Sequence, residues 1–427
     1  MHNKQKRIVE REVEVLFSVS AFLRSPTIDE LMCLGPFHPS IKYKNGTLFM
    51  SKKGIAALKR LNELISGLPE LSCNVSVHEI QNQVFQYYSD CLGKALQPTG
   101  QEFVDEIIDY LLRQVKHYEF LVKVEGINLC KLDSLSLGSF RIQRSDPLLF
   151  DHIAFEGNLD REKIYSQFKD CLWLIGSVEG SSDVAFERFD YQAVLIVGIL
   201  GLCGAILYKG SIWRTRVRVV TSSFENRDIV KSLKWEKGGS NPSISYNWGV
   251  EQDLLFNAEN ISYLSEQCFL ERLSTLPDLE NRSQLEDAIL RATYWFADAY
   301  KDRNPVMQFV KLWTCAECFF AIGKEKITEL NAMGIASILV FGGYRVIEVD
   351  NYMELKRKVK HFYDMRSRAI HRAEFTHVDL KDLNEFSYWI AWVVISIVAL
   401  TEQGYKTLSQ VHEQILRLDN INSSQGC

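Results

Sequence analysis

The chain has 427 residues, 46% of them hydrophobic and 24% charged, with a formal net charge of −5. That composition excludes a disordered or collagen-like chain, and at about 150 residues per domain it leaves room for two or three cored domains. A pI near 6.1 excludes a generic nucleic-acid coat, so any nucleic-acid contact must come from local basic patches.

Ten cysteines, from Cys33 to Cys427, form no dense framework. The apolar run at 15–23 follows Glu10, Glu12 and Glu14, an acid-rich approach unlike a secretory leader. The reading is reduced thiols and a cytoplasmic location. Cys315 and Cys318 make a lone CxxC with no second pair, so no metal is expected. No GxGxxG or GxxxxGK[ST] follows a strand, and no cofactor is expected either.

In chain order, Asn45-Gly46 lies between apolar alternations at 41–50 and predicts a hairpin. Helical periodicity covers 51–68, 77–96 and 101–116. Residues 118–127 alternate like a strand, and 135–143 repeat that pattern around Gly138. A helix is predicted over 160–176. The run at 193–208 is apolar throughout, and Gly198, Gly201 and Gly204 in it read as close packing between helices. It and the run at 386–400 are shorter than the roughly 20 residues that span a bilayer, so both read as core and no membrane is expected. Residues 213–220 alternate strictly, with Arg214, Arg216 and Arg218 on one face. Those arginines fit either a phosphate path or a solvated strand face. Residues 235–249, rich in Gly, Ser and Asn, predict a loop.

Beyond residue 281 the pattern is helical. Ser283 and Glu286 have capping-box spacing for a helix to about Lys301. Asn304-Pro305 starts another, ending near Gly323. Residues 324–349 read as less regular. Asn351 and Glu354 start a helix carrying Leu355, Val359, Phe362 and Ala369, and a last, fully apolar helix covers 380–402. The fold class expected is mostly α: an α+β N-terminal region at 1–250 with one or two subdomains, a linker or extension at 251–280, and an all-α bundle at 281–427.

One segment carries a chemical argument. Residues 356–372 read KRKVKHFYDMRSRAIHR, seven Lys or Arg against one acid, Asp364. Lys356, Arg357, Lys358, Lys360, Arg368 and Arg372 make a basic island suited to a polyanion. Within it, Arg366-Ser-Arg-Ala-Ile-His371 resembles the R-x4-6-H signature of HEPN domains. The lead-in Phe362-Tyr363-Asp364-Met365 and the upstream Trp313-Thr-Cys-Ala-Glu317-Cys-Phe-Phe resemble ApeA-like HEPN proteins of bacterial anti-phage defence. The likeness covers roughly residues 283–403, with a weaker echo at 135–142.

That resemblance implies a C-terminal HEPN bundle acting as a metal-independent endoribonuclease on tRNA or mRNA. It also implies a homodimer or higher homo-oligomer, and an N-terminal region that senses a trigger, such as a phage-derived one, or holds the nuclease in check. His371 would move protons at the ribose 2′-hydroxyl or the leaving 5′-oxygen, and Arg366 would brace the phosphorane charge. The implied product end is a 2′,3′-cyclic phosphate. Many HEPN nucleases carry Asn, Asp or His after the arginine, and Ser367 stands there instead. Glu317 shares an apolar helix face, so it must be paired, either to orient Arg366 or His371 or in a structural bridge. Asp364 is a lesser supporting candidate, and His361 and His377 read as surface residues. The alternative function is a non-catalytic HEPN dimerisation or RNA-binding module. Residues five apart on a straight helix lie about 140° apart, so Arg366 and His371 do not share a face unless the helix bends.

Overall fold

Capping residues and amphipathic spacing account for the first elements. The computed structural model describes residues 3–24, 26–27, 38–43, 46–146, 162, 171–210, 217–219, 230–234, 243–246, 253–302, 304–321, 327–372 and 378–423. Helices α1 (Asn3–Leu16), α2 (Lys52–Ser66), α3 (Pro69–Ser72), α4 (Val77–Gly93) and α5 (Gly100–Gln114) come first. The side chain of Ser51 caps α2, and Ser76 and Thr99 form reciprocal capping boxes with Glu79 and Glu102. Each box satisfies two otherwise orphaned N–H groups. The buried faces, Val9 and Val13, Leu61 and Ile65, Val84 and Tyr88, Phe103 and Ile107, merge into one core. Strands β1 (Ser40–Tyr43) and β2 (Gly46–Phe49) pair antiparallel with Tyr43 opposite Gly46. Asn45, named for that turn, lies outside the described residues.

The sheet residues follow. β3 (Lys116–Glu125), β4 (Ile127–Asn128), β5 (Ser134–Leu137), β6 (Phe140–Arg144), β7 (Leu172–Gly180) and β8 (Arg218–Val219) include a five-stranded sheet of order β5-β6-β7-β3-β8. Gly138 sits at φ +59° in the β5–β6 turn, where a Cβ would lie 2.2 Å from the Ser274 carbonyl oxygen. No other residue type fits there without displacing that backbone. The helix expected at 160–176 is corrected: 172–176 belong to β7, and most of the remainder lies outside the described residues. Its Leu, Trp and Ile alternate onto a sheet, a pattern too short to distinguish from a helix turn.

α6 (Ser182–Leu207) follows β7, and β9 (Val230–Lys234) pairs with β10 (Ser243–Tyr246). β11 (Leu254–Leu255) pairs parallel with β4. Helices α7 (Ala258–Cys268) and α8 (Leu270–Thr275) then lead to a helical C-terminal part. It comprises α9 (Gln284–Lys301), α10 (Pro305–Phe320), α11 (Ile327–Phe341), α12 (Tyr352–Arg372), α13 (Leu380–Glu402) and α14 (Leu408–Ser423). The chain is therefore mostly α with some β, and all-α from Gln284 among the described residues.

Two compact units result: Met1–Glu119 with Ser177–Asp190, and Phe120–Gly176 with Tyr191–Cys427. The expected boundaries near 250 and 281 are corrected by this division. Residues 251–280 are no linker, because Leu254, Phe256, Leu264, Leu270 and Leu273 are buried. Ser139, at the β5–β6 turn, donates from both its backbone N–H and its hydroxyl to the Asp278 carboxylate, at 2.9 and 2.7 Å. Residues 324–349 are corrected as well: α11 fills much of that stretch and is buried from Asn331 to Val340, mostly apolar with Asn331 and Ser337 among the buried residues. The 380–402 helix is not the last, since α14 follows it and buries Val411 and Ile415.

Two helices are long and apolar enough to cross a membrane, α6 with 26 residues and α13 with 23, so the length argument does not hold. What marks them as core is that 78% and 72% of their apolar stretches are buried. Gly198 of α6 does serve close packing: a Cβ there would lie 2.5 Å from the Thr293 carbonyl oxygen of α9. Gly198→Leu should therefore lower stability by about 1–3 kcal/mol through overpacking. Gly93→Ala, with open space around its Cβ, should leave stability equal or slightly raised. Thermal melts of the two variants beside the parent chain check both outcomes.

Candidate functional site

The site grows from an aromatic core. Phe309, Trp313, Phe362 and Phe386 pack with ring centroids 5.0–5.5 Å apart. On α10, Glu317 lies four residues after Trp313. On α12, Arg366 lies four residues after Phe362. Residues four apart share a helix face, so both charged groups emerge at the same edge of the core. There the Arg366 Nη2 sits 3.2 Å from each Glu317 carboxylate oxygen. Their side chains are only 16% and 20% exposed. The guanidinium also lies 5.8 Å from the Tyr363 ring centre, and that ring meets Trp313 edge-on at 5.6 Å.

This pair works against the stability of the fold. Burial pushes the Glu317 carboxyl above the usual carboxylate range, and the facing Arg366 offsets only part of that rise. Two N–H donors, Arg366 Nε and Trp313 Nε1, are buried without a hydrogen-bond partner among the described residues. Each such orphan costs about 1–3 kcal/mol.

His371 is exposed near the end of the same helix, α12. α12 is helical throughout from Tyr352 to Arg372, so Arg366 faces α10 while His371 points elsewhere. One chain does not bring the two together. Ser367 is partly buried, and Asp364 is exposed, its carbonyl accepting from Arg368 Nε at 3.4 Å. Neither touches the Glu317–Arg366 pair in the described contacts. Arg372 belongs to α12, but its side chain lies outside the description, as do His377, Arg214 and Arg216.

The basic island is largely neutralised, which corrects its reading as a lysine-rich RNA surface. Lys356 is buried between Asp419 at 2.8 Å and Glu329 at 3.0 Å. Lys360 pairs with the same Glu329. Lys358 pairs with Glu385 at 2.6 Å and lies over the Phe362 and Trp389 rings. Arg218 pairs with Glu125 at 3.0 Å on the paired strands β8 and β3. Among the described residues, Arg357 and Arg368 have no carboxylate within ion-pair distance, and Arg357 is exposed.

Sequence reasoning missed Asp419, Tyr352 and Glu329, because α14 and α11 were not expected to reach α12. Tyr352 donates to Asp419 at 2.6 Å. The CxxC holds no reactive thiolate: burial pushes Cys315 far up and Cys318 to about 11. Among the described residues no group of three or more His, Cys, Asp or Glu could hold a metal ion. The chain matches no family model, no curated protein and no solved structure.

Two pH predictions follow from these pairs. Glu317 has a raised folded pKa, so the folded state binds its proton more readily and this residue's contribution falls as pH rises above about 4.5. Glu317→Gln should therefore gain stability relative to the parent between pH 4 and 7, read from melting temperatures at each pH. Asp419 has the opposite sign. Burial pushes its carboxyl up, but hydrogen bonds from Lys356 and Tyr352 outweigh that and hold it low. Its contribution is present above the unfolded value and lost as pH falls. Asp419→Asn should destabilise the chain at pH 7, and the difference should shrink as pH falls below about 3.8, measured by urea unfolding.

Proposed function

We propose that the chain is a metal-independent endoribonuclease of HEPN type, working as a homodimer in bacterial anti-phage defence. The observation that carries this reading is Arg366. It stands at the motif position, held by a carboxylate from the neighbouring helix, with a buried Nε–H that no group of the described chain accepts. Groups held at a cost to the fold concentrate at functional sites. A phosphate oxygen is the acceptor this donor lacks, and a guanidinium meets phosphate with paired, charge-assisted bonds.

In this mechanism Arg366 binds the scissile phosphate and stabilises the charge that grows on it. Glu317 fixes the guanidinium plane. His371, exposed to solvent, takes the proton from the 2′-hydroxyl as that oxygen attacks phosphorus. The bond to the 5′-oxygen breaks, that oxygen takes a proton from water, the hydroxide left behind recovers the proton held on His371, and a 2′,3′-cyclic phosphate remains. Arg366 and His371 diverge within one chain, so the proposed dimer unites residues of two copies in a shared cleft. Among the described side chains of α12, Arg357 and Arg368 are the cations without a carboxylate partner, left to draw in RNA. The region preceding the bundle would carry response to a phage-derived trigger, and cytoplasmic RNA would be the target.

The test is cleavage of bulk tRNA and mRNA by purified protein in EDTA, with and without lysate from phage-infected cells. His371→Ala should lower the rate about 10²–10⁴-fold while RNA binding survives. Arg366→Ala should lower it about 10²–10³-fold. Binding without cleavage under either condition would overturn the nuclease and support the non-catalytic RNA-binding alternative.

A further inference from the structure

On the same unit, α6 and α9 present two tyrosines that the core does not need. Tyr191 and Tyr294 stack on each other with centroids 5.8 Å apart and planes 26° apart. They remain 47% and 37% exposed. Trp295 adds an edge to Tyr294 at 6.3 Å. A stacked aromatic pair left this open to water is a surface that another flat group can extend.

The charge beside it is positive. Arg291 lies three residues before Tyr294 on α9 and therefore on the same face. It is exposed and has no carboxylate within ion-pair distance among the described residues. Arg282 also lies near Tyr191, but it is engaged by Asp287 at 2.9 Å and by the Leu279 carbonyl at 2.6 Å. Arg291 thus supplies the unspent charge.

We infer that Tyr191 and Tyr294 form a base-stacking platform for single-stranded RNA, with Arg291 beside them to meet its backbone. This rests on the proposed RNA-directed function and adds where the strand lies. Bases stack on aromatic rings whatever their identity, and cations beside the rings track the phosphates. Exposed aromatic rings beside a guanidinium with no carboxylate partner among the described residues match that chemistry in both parts. A second copy of this chain is the competing occupant.

The test is fluorescence anisotropy of a labelled 2′-O-methyl RNA, which cannot be cleaved through its 2′-oxygen, with the full chain in EDTA. Tyr191→Ala and Tyr294→Ala should each raise Kd about tenfold, and the Phe variants should bind like the parent. Arg291→Glu, at an exposed position, should also raise Kd and keeps the test decisive if the Ala variants unfold. An unchanged Kd in folded Ala variants overturns the platform. So does a shift from dimer to monomer, seen by light scattering, with RNA affinity unchanged. Tyrosine-dependent binding by a chain that never cuts RNA upholds the platform and removes the nuclease. Cleavage with tyrosine-independent binding does the reverse. A parent chain that binds no RNA removes both.

Discussion

An arginine and a glutamate, pressed together at the rim of an aromatic core, define what the C-terminal bundle must hold in place. Taking both charges from water is expensive, and their attraction returns only part of it. Here the balance is visible in Glu317, whose carboxyl is harder to ionise in the folded chain than in water. The Arg366 Nε–H adds a donor with no acceptor among the described residues. An apolar pair of similar volume at these positions would make a more stable bundle. That the chain carries charges instead fits a site whose missing partner is an anion.

The surrounding structure fixes that pair by packing. Trp313 and Phe362 each anchor one of the two charged residues one helical turn away, and Phe386 of α13 closes the cluster. On another face of α12, Lys356 and Lys360 are tied to α11 and α14 through Glu329 and Asp419. A helix that reads as one basic surface is divided by pairing: its lysines meet carboxylates, whereas Arg357 and Arg368 have none within ion-pair distance among the described residues.

What was legible in the sequence follows physical range. Ser283 and Asn304 act within one helical turn, and each caps the helix it announces. Glu317 was legible as an acid needing a partner, with Arg366, His371 or a structural bridge open to it, and the partner it meets is Arg366. The misses arise where distant chain decides. α11 is apolar all round and offers no period to read. Residues 251–280 look polar and loose, yet Leu254 and Phe256 are buried. The lysines looked free because Glu385 and Asp419 lie tens of residues away in the chain. His371 was expected to face away from Arg366 on a straight helix, and α12 is helical through both.

The measurement that reaches the central claim most directly is the Arg366 Nε–H itself. Arginine-selective ¹⁵N labelling would show its resonance, assigned by its loss in Arg366→Lys, before and after addition of an uncleavable 2′-O-methyl RNA. The account predicts a downfield shift and slower exchange with water as a phosphate oxygen accepts that proton. A resonance that stays in place while anisotropy shows the RNA bound would mean that Arg366 is structural, and would contradict the site proposed around it.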